Sequence, residues 1–305
     1  MINKKIIITG AAGFLGTYLA RHFNKLGWKV FGIGHGKPND EDENIYEAFI
    51  SADITLENLC KFDIVPDVVV HAAGGSSVAL SVQNPLNDFL KTVSSIAHVL
   101  EFIRLKAQNA KLVYLSSAAV YGAHSDSKIK LATHKIPVSP YGFHKHLAEE
   151  LCFSYGKSYD IKFTIVRFFS VYGEGLKKQL LWDTVNKFRG TDQVVEFWGT
   201  GEETRDWIYI NDAVDLVYTV TESTYDLQLI NGAASGRVTV RKVIELVKQV
   251  MSAEAWIRFN HKEKIGDPKY YWADVDVYNQ LGWAPKISLS EGISKYVDWA
   301  INEEN

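Results

Sequence analysis

The stretch Thr9-Gly10-Ala11-Ala12-Gly13-Phe14-Leu15-Gly16 joins a short β-branched run, Lys5 to Thr9, to an amphipathic segment from about Phe14 to Leu26. A strand, a glycine-spaced turn and a helix in that order make the phosphate-binding corner of a dinucleotide fold. Gly10 permits the tight turn, Gly13 lets the backbone approach a pyrophosphate, and Gly16 lets the helix pack closely on the sheet. The helix N-terminus at Phe14 and Leu15 supplies N–H donors and the positive end of the helix dipole.

Outward from this corner, β-branched runs alternate with helical patterns. Strands are expected at Lys29 to Ile33, Val68 to His71, Lys111 to Ser116 and Phe163 to Phe168, and helices at about Pro85 to Lys106 and Tyr141 to Tyr159. Continuous apolar runs suit strands covered on both faces. The expected fold is α/β, a Rossmann-type doubly wound parallel sheet followed by a smaller C-terminal α/β portion. The expected division is a dinucleotide-binding domain over 1–171, also receiving about 207–232, and a substrate domain over 172–305. In the latter, Val194 to Trp198 reads as a strand, and Arg237 to Met251 and Leu289 to Ile301 as helices.

Composition narrows the function. The 305 residues are 47% hydrophobic and 23% charged, as in globular proteins, and 33 Lys and Arg stand against 36 Asp and Glu. That balance lacks the basic excess of a phosphate-backbone binder, so neither nucleic acid nor an anionic membrane surface is an expected partner. Cys60 and Cys152 stand far apart without metal-ligand spacing, so no metal site and no disulfide framework are expected. The chain starts Met1-Ile2-Asn3-Lys4-Lys5 and runs straight into a strand, and no apolar stretch reaches about 18 residues. A soluble protein of the reducing cytoplasm is the expectation.

The second strand ends Gly32-Ile33-Gly34-His35-Gly36-Lys37, without the carboxylate that ordinarily binds the adenosine ribose of NAD. NAD or NADP is expected, with NADP favoured by His35 and Lys37, which would accept a 2′-phosphate. Asp53 and Ile54 lie where a third strand would reach the adenine. Asp53 reads equally well as a helix cap or turn residue.

Tyr141 and Lys145 are four apart on a predicted helix and share a face. Ser116-Ser117 closes a buried strand at its carboxyl end, where ligands bind in open α/β sheets. A tyrosine that exchanges a proton near neutrality needs its pKa lowered by roughly 3 units, about 4 kcal/mol. Ser117 would hold the substrate oxygen, Tyr141 would move its proton, and Lys145 would lower the tyrosine pKa and bind the nicotinamide ribose.

With these residues in place the chain resembles the extended short-chain dehydrogenase/reductase family, specifically its nucleotide-sugar epimerases, dehydratases and reductases. The resemblance rests on residues 9–16, His71-Ala72-Ala73, Ser116 to Gly122, Tyr141 with Lys145, Arg167 to Gly173, and Arg205-Asp206-Trp207-Ile208. Gly266-Asp267, Tyr271 to Asp274 and Leu281 to Pro285 complete it. It implies that Ala72 and Ala73 border the cofactor. Substrate contacts are implied at Ser170, Arg205, Lys264 and Asp267, with Arg205 and Lys264 reaching a diphosphate. Arg205 also reads as a structural partner of Asp206, and Lys264 as part of a solvated loop. Where dehydratases of the family carry Asp-Glu after the active-site Ser or Thr, this chain has Ala118-Ala119. Where 4-epimerases usually have asparagine, it has Ser170.

The expected activity is hydride transfer at C4 of a nucleotide-linked hexose, as a 4-epimerase or a 4-keto reductase. A 4,6-dehydratase and a non-catalytic dinucleotide sensor are the alternatives. The resemblance also implies polysaccharide precursors as the setting, and a homodimer through the helices at 85–106 and 141–159. Phe89, Ile96, Phe102 and Phe153 form either that seam or the faces that cover the sheet.

Overall fold

The computed structural model describes residues 4–190, 193–262 and 269–303. The chain divides into two compact units, one of Met1–Gly122, His134–Phe168 and Val214–Ile230, the other of Ala123–Thr133, Phe169–Ala213 and Asn231–Asn305. The segment 123–133 belongs to the second unit although it directly follows the fifth strand of the first.

The first unit is built on β1 (Lys5–Thr9), β2 (Lys29–Gly34), β3 (Tyr46–Ser51), β4 (Val68–His71), β5 (Lys111–Ser117) and β6 (Phe163–Phe168), joined at one edge by β7 (Leu229–Gly232). Their order is β7-β6-β5-β4-β1-β2-β3, and every pairing from β6 to β3 is parallel. This is the doubly wound sheet the alternation of strands and helices predicts. Ile6, Ile7 and Ile8 of β1 are fully buried, each contributing about 1.5–3 kcal/mol of apolar burial. β3 escaped a bounded prediction because Tyr46-Glu47-Ala48-Phe49-Ile50-Ser51 is a half-exposed edge strand without a continuous apolar run.

The helices are α1 (Phe14–Lys25), α2 (Leu56–Cys60), α3 (Val78–Gln83), α4 (Pro85–Phe89), α5 (Ser95–Lys106) and α6 (Pro140–Tyr159). On one face α5 and α6 bury Ile96, Val99, Phe102, Ala148 and Cys152 against Leu112, Tyr114 and Ile165. On the other, Phe23 of α1 meets Trp28 and Tyr218 edge-on. The expected single helix from Pro85 to Lys106 is instead two α segments joined by a π turn, Leu90–Ser94. That turn carries Thr92, whose Oγ1 accepts from Gly75 N at 2.8 Å, and leads into Ser95, whose Oγ reaches the buried His71 ring at 3.2 Å.

The second unit is assembled from two-stranded pieces. Ser170–Tyr172 runs parallel to Trp207–Tyr209, Thr204–Arg205 pairs antiparallel with Val238–Thr239, and Val194–Phe197 runs parallel to Trp256–Phe259. The helix expected from Arg237 begins at Val240, because Val238–Thr239 is a strand and the Thr239 hydroxyl caps the helix by accepting from Lys242 N. Ile129 ties segment 123–133 in by donating to Trp272 O and accepting from Asp274 N, each at 2.9 Å. Among the described residues, no helix is long and apolar enough to cross a membrane.

Candidate active site

The sheet order reverses between β1 and β4, which opens a crevice beyond their carboxyl ends. Gly10 follows β1 there with φ +68°, and a methyl group on it would sit 2.8 Å from Ala73 N, just after β4. Ala72 N donates to Thr9 O at 3.2 Å. A methyl on Gly16 would lie 2.1 Å from Gly10 O, so Gly16 serves the close approach of α1 to the loop itself. Gly13 is the N-cap of α1, with no side-chain cap and no acidic residue in the first turn. The first N–H groups, at Phe14 and Leu15, are therefore left to an anion. This corner fits a dinucleotide pyrophosphate.

At the outer end of the crevice His35 Nε2 and Asp53 Oδ1 are 2.6 Å apart, both largely exposed, with Lys37 exposed nearby in sequence. The reading of Asp53 as a helix cap is removed, since Thr55 caps α2 by accepting from Asn58 N. Ile54 packs against the core under β2 and β3. The tip of β2 therefore does have a carboxylate beside it, delivered from the chain after β3.

Ser117, Tyr141 and Lys145 come together at the end of β5. Ser139 caps α6 by accepting from Gly142 N, and Pro140 occupies its first turn, so the helix starts one residue before Tyr141. The Ser117 hydroxyl accepts from Ala119 N at 3.2 Å and lies close enough to the Tyr141 phenol to act on its acidity. Burial raises the phenol pKa above its ordinary value, Ser117 opposes that shift, and the Asp88 carboxylate adds to it. Lys145 Nζ donates to Leu115 O at 2.8 Å. Burial pulls this ammonium down to about 8, with Asp88 and Glu149 holding it up.

Beneath these groups lies a fully buried network that sequence reading did not assign. Arg167 of β6 donates from Nε and Nη2 to the two oxygens of Glu149, at 2.9 and 2.6 Å, and from Nη1 to Tyr121 at 2.9 Å. Ser116 Oγ donates to Glu149 Oε1 at 2.6 Å. The ends of β5 and β6 are thereby clamped to α6 on either side of Ser117. His71 is buried too, between Thr9 Oγ1 at 2.7 Å and Ser95 Oγ at 3.2 Å. Since Ser95 donates its hydrogen to Lys91 O, the network assigns the proton to Nε2 and leaves Nδ1 to accept from Thr9. Burial, and secondarily Lys145, push this imidazole down to about 3, so it is neutral. A signal for part of this set existed: Glu149 falls eight residues after Tyr141, on its helix face.

In the second unit, Ser170 N donates to Asp206 O at 3.0 Å. Arg205 Nη1 donates to Thr204 O, and its guanidinium lies over the Tyr271 ring at 5.9 Å. The buried Asp206 carboxylate accepts from Ala234, Gly236 and Ala273 N–H groups, which ties three segments around it. Lys264 and Asp267 lie outside the described residues.

The profile of the NAD dependent epimerase/dehydratase family matches residues 6–230. Among curated relatives, a protein named uncharacterized UDP-glucose epimerase YtcB from Bacillus subtilis is 28% identical, with 96% of each chain covered. The UDP-glucuronate 4-epimerase of Thermodesulfobacterium geofontis is 26% identical over 96% of this chain and 95% of its own. Among solved structures, the UDP-glucuronic acid 4-epimerase of Bacillus cereus, in complex with UDP-glucuronic acid and NAD, is 28% identical. It superposes with a TM-score of 0.88 over 97% of this chain and 99% of that one. A match across three-quarters of the chain, on the sheet and crevice described above, establishes that this protein belongs to the NAD dependent epimerase/dehydratase family.

Proposed function

We propose that the protein is an NAD-dependent 4-epimerase of a nucleotide-linked hexose, with a uridine diphosphate sugar the first candidate. The observation that carries the reading is the placement of Ser117 at the end of β5, with Lys145 Nζ donating to Leu115 O of the same strand one helical turn after Tyr141, followed by Ala118-Ala119, where no carboxylate is present to eliminate water. The similar proteins named as UDP-sugar 4-epimerases support the substrate class.

Gly10, Gly13, Phe14, Leu15, Gly16, Ala72 and Ala73 would hold the dinucleotide's central part, and His35, Lys37, Asp53 and Ile54 its adenosine end. The bound dinucleotide supplies reversible hydride acceptance. Ser117 orients the sugar C4 hydroxyl, and Tyr141 takes its proton as C4 is oxidised and returns it when C4 is reduced from the other face. Lys145 binds the nicotinamide ribose, and its ammonium favours the tyrosinate. Burial and Asp88 both raise the Tyr141 pKa and Ser117 opposes them, so Lys145, together with the positive charge an oxidised nicotinamide would bring, would have to make up the difference. Ser170, Arg205, Lys264 and Asp267 would hold the nucleotide sugar in the second unit.

NADP was favoured for want of a carboxylate at the end of β2. Asp53 beside His35 supplies one and would repel a 2′-phosphate, which supports NAD. A 4-keto reductase is the second reading, favoured by the exposed Lys37. The unbridged Cys60 and Cys152 support a reducing compartment such as the cytoplasm. Ile96 and Phe102 are buried in the core, and Phe153 packs on Phe163 at 5.2 Å, so a homodimer seam would use the exposed Leu86, Phe89, Phe143 and Leu147 instead.

The test is mass spectrometry of the nucleotide released on denaturing the purified protein, followed by incubation with UDP-glucose and UDP-glucuronic acid. Retained NAD and conversion to the C4 epimer support the reading. An empty protein that binds NADPH more tightly and reduces 4-keto sugars would replace it with the second.

A further inference from the structure

Two glycines after β4 lie against charged groups on α4 and α6. Gly74, at φ +142°, is so placed that a methyl group on it would be 3.3 Å from Lys145 Nζ, and one on Gly75 would be 1.9 Å from Asp88 Oδ1. The Asp88 carboxylate, 6% exposed, reaches His144 Nδ1 at 2.6 Å, and the Phe89 ring covers that imidazole edge-on. His144 is one turn after Tyr141 and adjacent to Lys145, on a helix whose start is held by Ser81 Oγ accepting from Tyr141 N. A carboxylate and an imidazole thus flank the proposed proton-transfer pair without belonging to it.

We infer that Asp88 and His144 are positioning residues of the proton-transfer site: Asp88 presents a buried negative charge to Tyr141 and Lys145 across the Gly74–Gly75 loop, and His144 balances it. This deepens the reading of Ser117, Tyr141 and Lys145 as a hydride-transfer site and rests on it.

His144 Nδ1 engages the Asp88 carboxylate at 2.6 Å. Removing His144 leaves Asp88 without that partner, which opposes formation of the tyrosinate more strongly. Removing Asp88 takes the negative charge away, which eases it. The other titratable groups toward Tyr141 are Lys145 and Glu149 on its own helix, Tyr114 on β5 and the neutral His71 on β4. Neither substitution removes any of these groups, and because Asp88 also raises the Lys145 pKa, a shift of the tyrosine reports the pair both directly and through Lys145. The effect of Asp88 on both Tyr141 and Lys145 has the sign this placement requires.

The experiment compares His144→Gln, Asp88→Asn and the double variant with the unaltered protein. It reads the acid limb of kcat against pH with a UDP-sugar, and the ionisation of Tyr141 by ζ-¹³C tyrosine NMR, its signal assigned by loss in Tyr141→Phe. The expected midpoints move up in His144→Gln and down in Asp88→Asn, each by about one pH unit, and the double variant follows Asp88→Asn. Thermal melts show which variants are folded. Midpoints that stay fixed, or move the same way in both single variants, overturn the inference and reduce the pair to a packing contact. Opposite NMR shifts without turnover of any UDP-sugar would instead reject the hydride-transfer reading while leaving the pair's electrostatic role standing.

Discussion

At the β5–α6 corner the Arg167 and Glu149 side chains are 2% and 0% exposed, whereas at the β2–β3 corner His35 and Asp53 are 64% and 78% exposed. Both are contacts of 2.6 Å between a nitrogen base and a carboxylate. A buried pair with both carboxylate oxygens engaged cannot let go of one partner without stranding a charge, so it holds the strand ends rigidly beside the proposed proton-transfer site. A solvated pair is screened and exchanges partners freely with water or ligand. On the proposed reading the rigid corner would serve proton transfer, and the solvated corner would serve the choice between two cofactors that differ by one phosphate.

The strongest way to break that comparison is at the rigid corner. Tyr141→Phe is expected to lower turnover by about 10²–10⁴-fold, the usual contribution of a positioned acid or base, with NAD affinity nearly unchanged in a fluorescence titration. Near-normal turnover would remove Tyr141 from the mechanism. Glu149→Ala is expected to cost about 3–5 kcal/mol of unfolding free energy in urea, because Arg167 stays buried without its carboxylate. A loss below about 1 kcal/mol would make the network no stiffer than a surface pair.

His71 sharpens the contrast through pH. Its folded pKa of about 3 lies below its ordinary 6.5, so the unfolded chain binds a proton that the folded chain refuses. Stability therefore falls as pH drops from about 6.5 toward 3, by up to about 1.4 kcal/mol per unit from this residue. Asp206 acts with the opposite sign between about 3.8 and 6, since burial raises its folded pKa to about 6. The difference between the unaltered protein and His71→Asn in urea melts at pH 7 and pH 4.5 isolates the histidine. Equal losses on acidification would show that His71 is protonated in the folded state.

The smallest effect on stability belongs to the solvated corner. Asp53→Asn is expected to change unfolding free energy by less than about 1 kcal/mol while improving NADP binding relative to NAD in parallel titrations. An unchanged cofactor ratio would separate Asp53 from cofactor choice.

The strands β1, β2, β4, β5 and β6 and the helices α1 and α6 were legible to within a residue or so, because continuous β-branched runs and a 3.6-residue apolar period are local properties. So was the glycine corner, since a positive φ at Gly10 and close approach at Gly16 each demand glycine whatever surrounds them. Less was visible at the break in the 85–106 helix. There the π turn follows from Gly75 and His71, partners more than ten residues away in the chain. In the second unit Val194–Phe197 and Leu289–Asn302 were likewise legible to within a residue, whereas strands of two or three residues carry too little pattern to be bounded.

What the sequence alone determined is the parallel sheet, the glycine corner and the presence of Ser117, Tyr141 and Lys145, all set by residue type and short spacing. What only tertiary structure decided is the state of those groups. The clamp of Glu149 on Arg167, the Asp53 carboxylate carried back to His35, the neutral His71 and the Asp88–His144 pair all join residues between 18 and 62 positions apart. Charge and acidity depend on burial and on which partner lies within a few ångströms. Chain folding creates those distances, and sequence spacing does not record them.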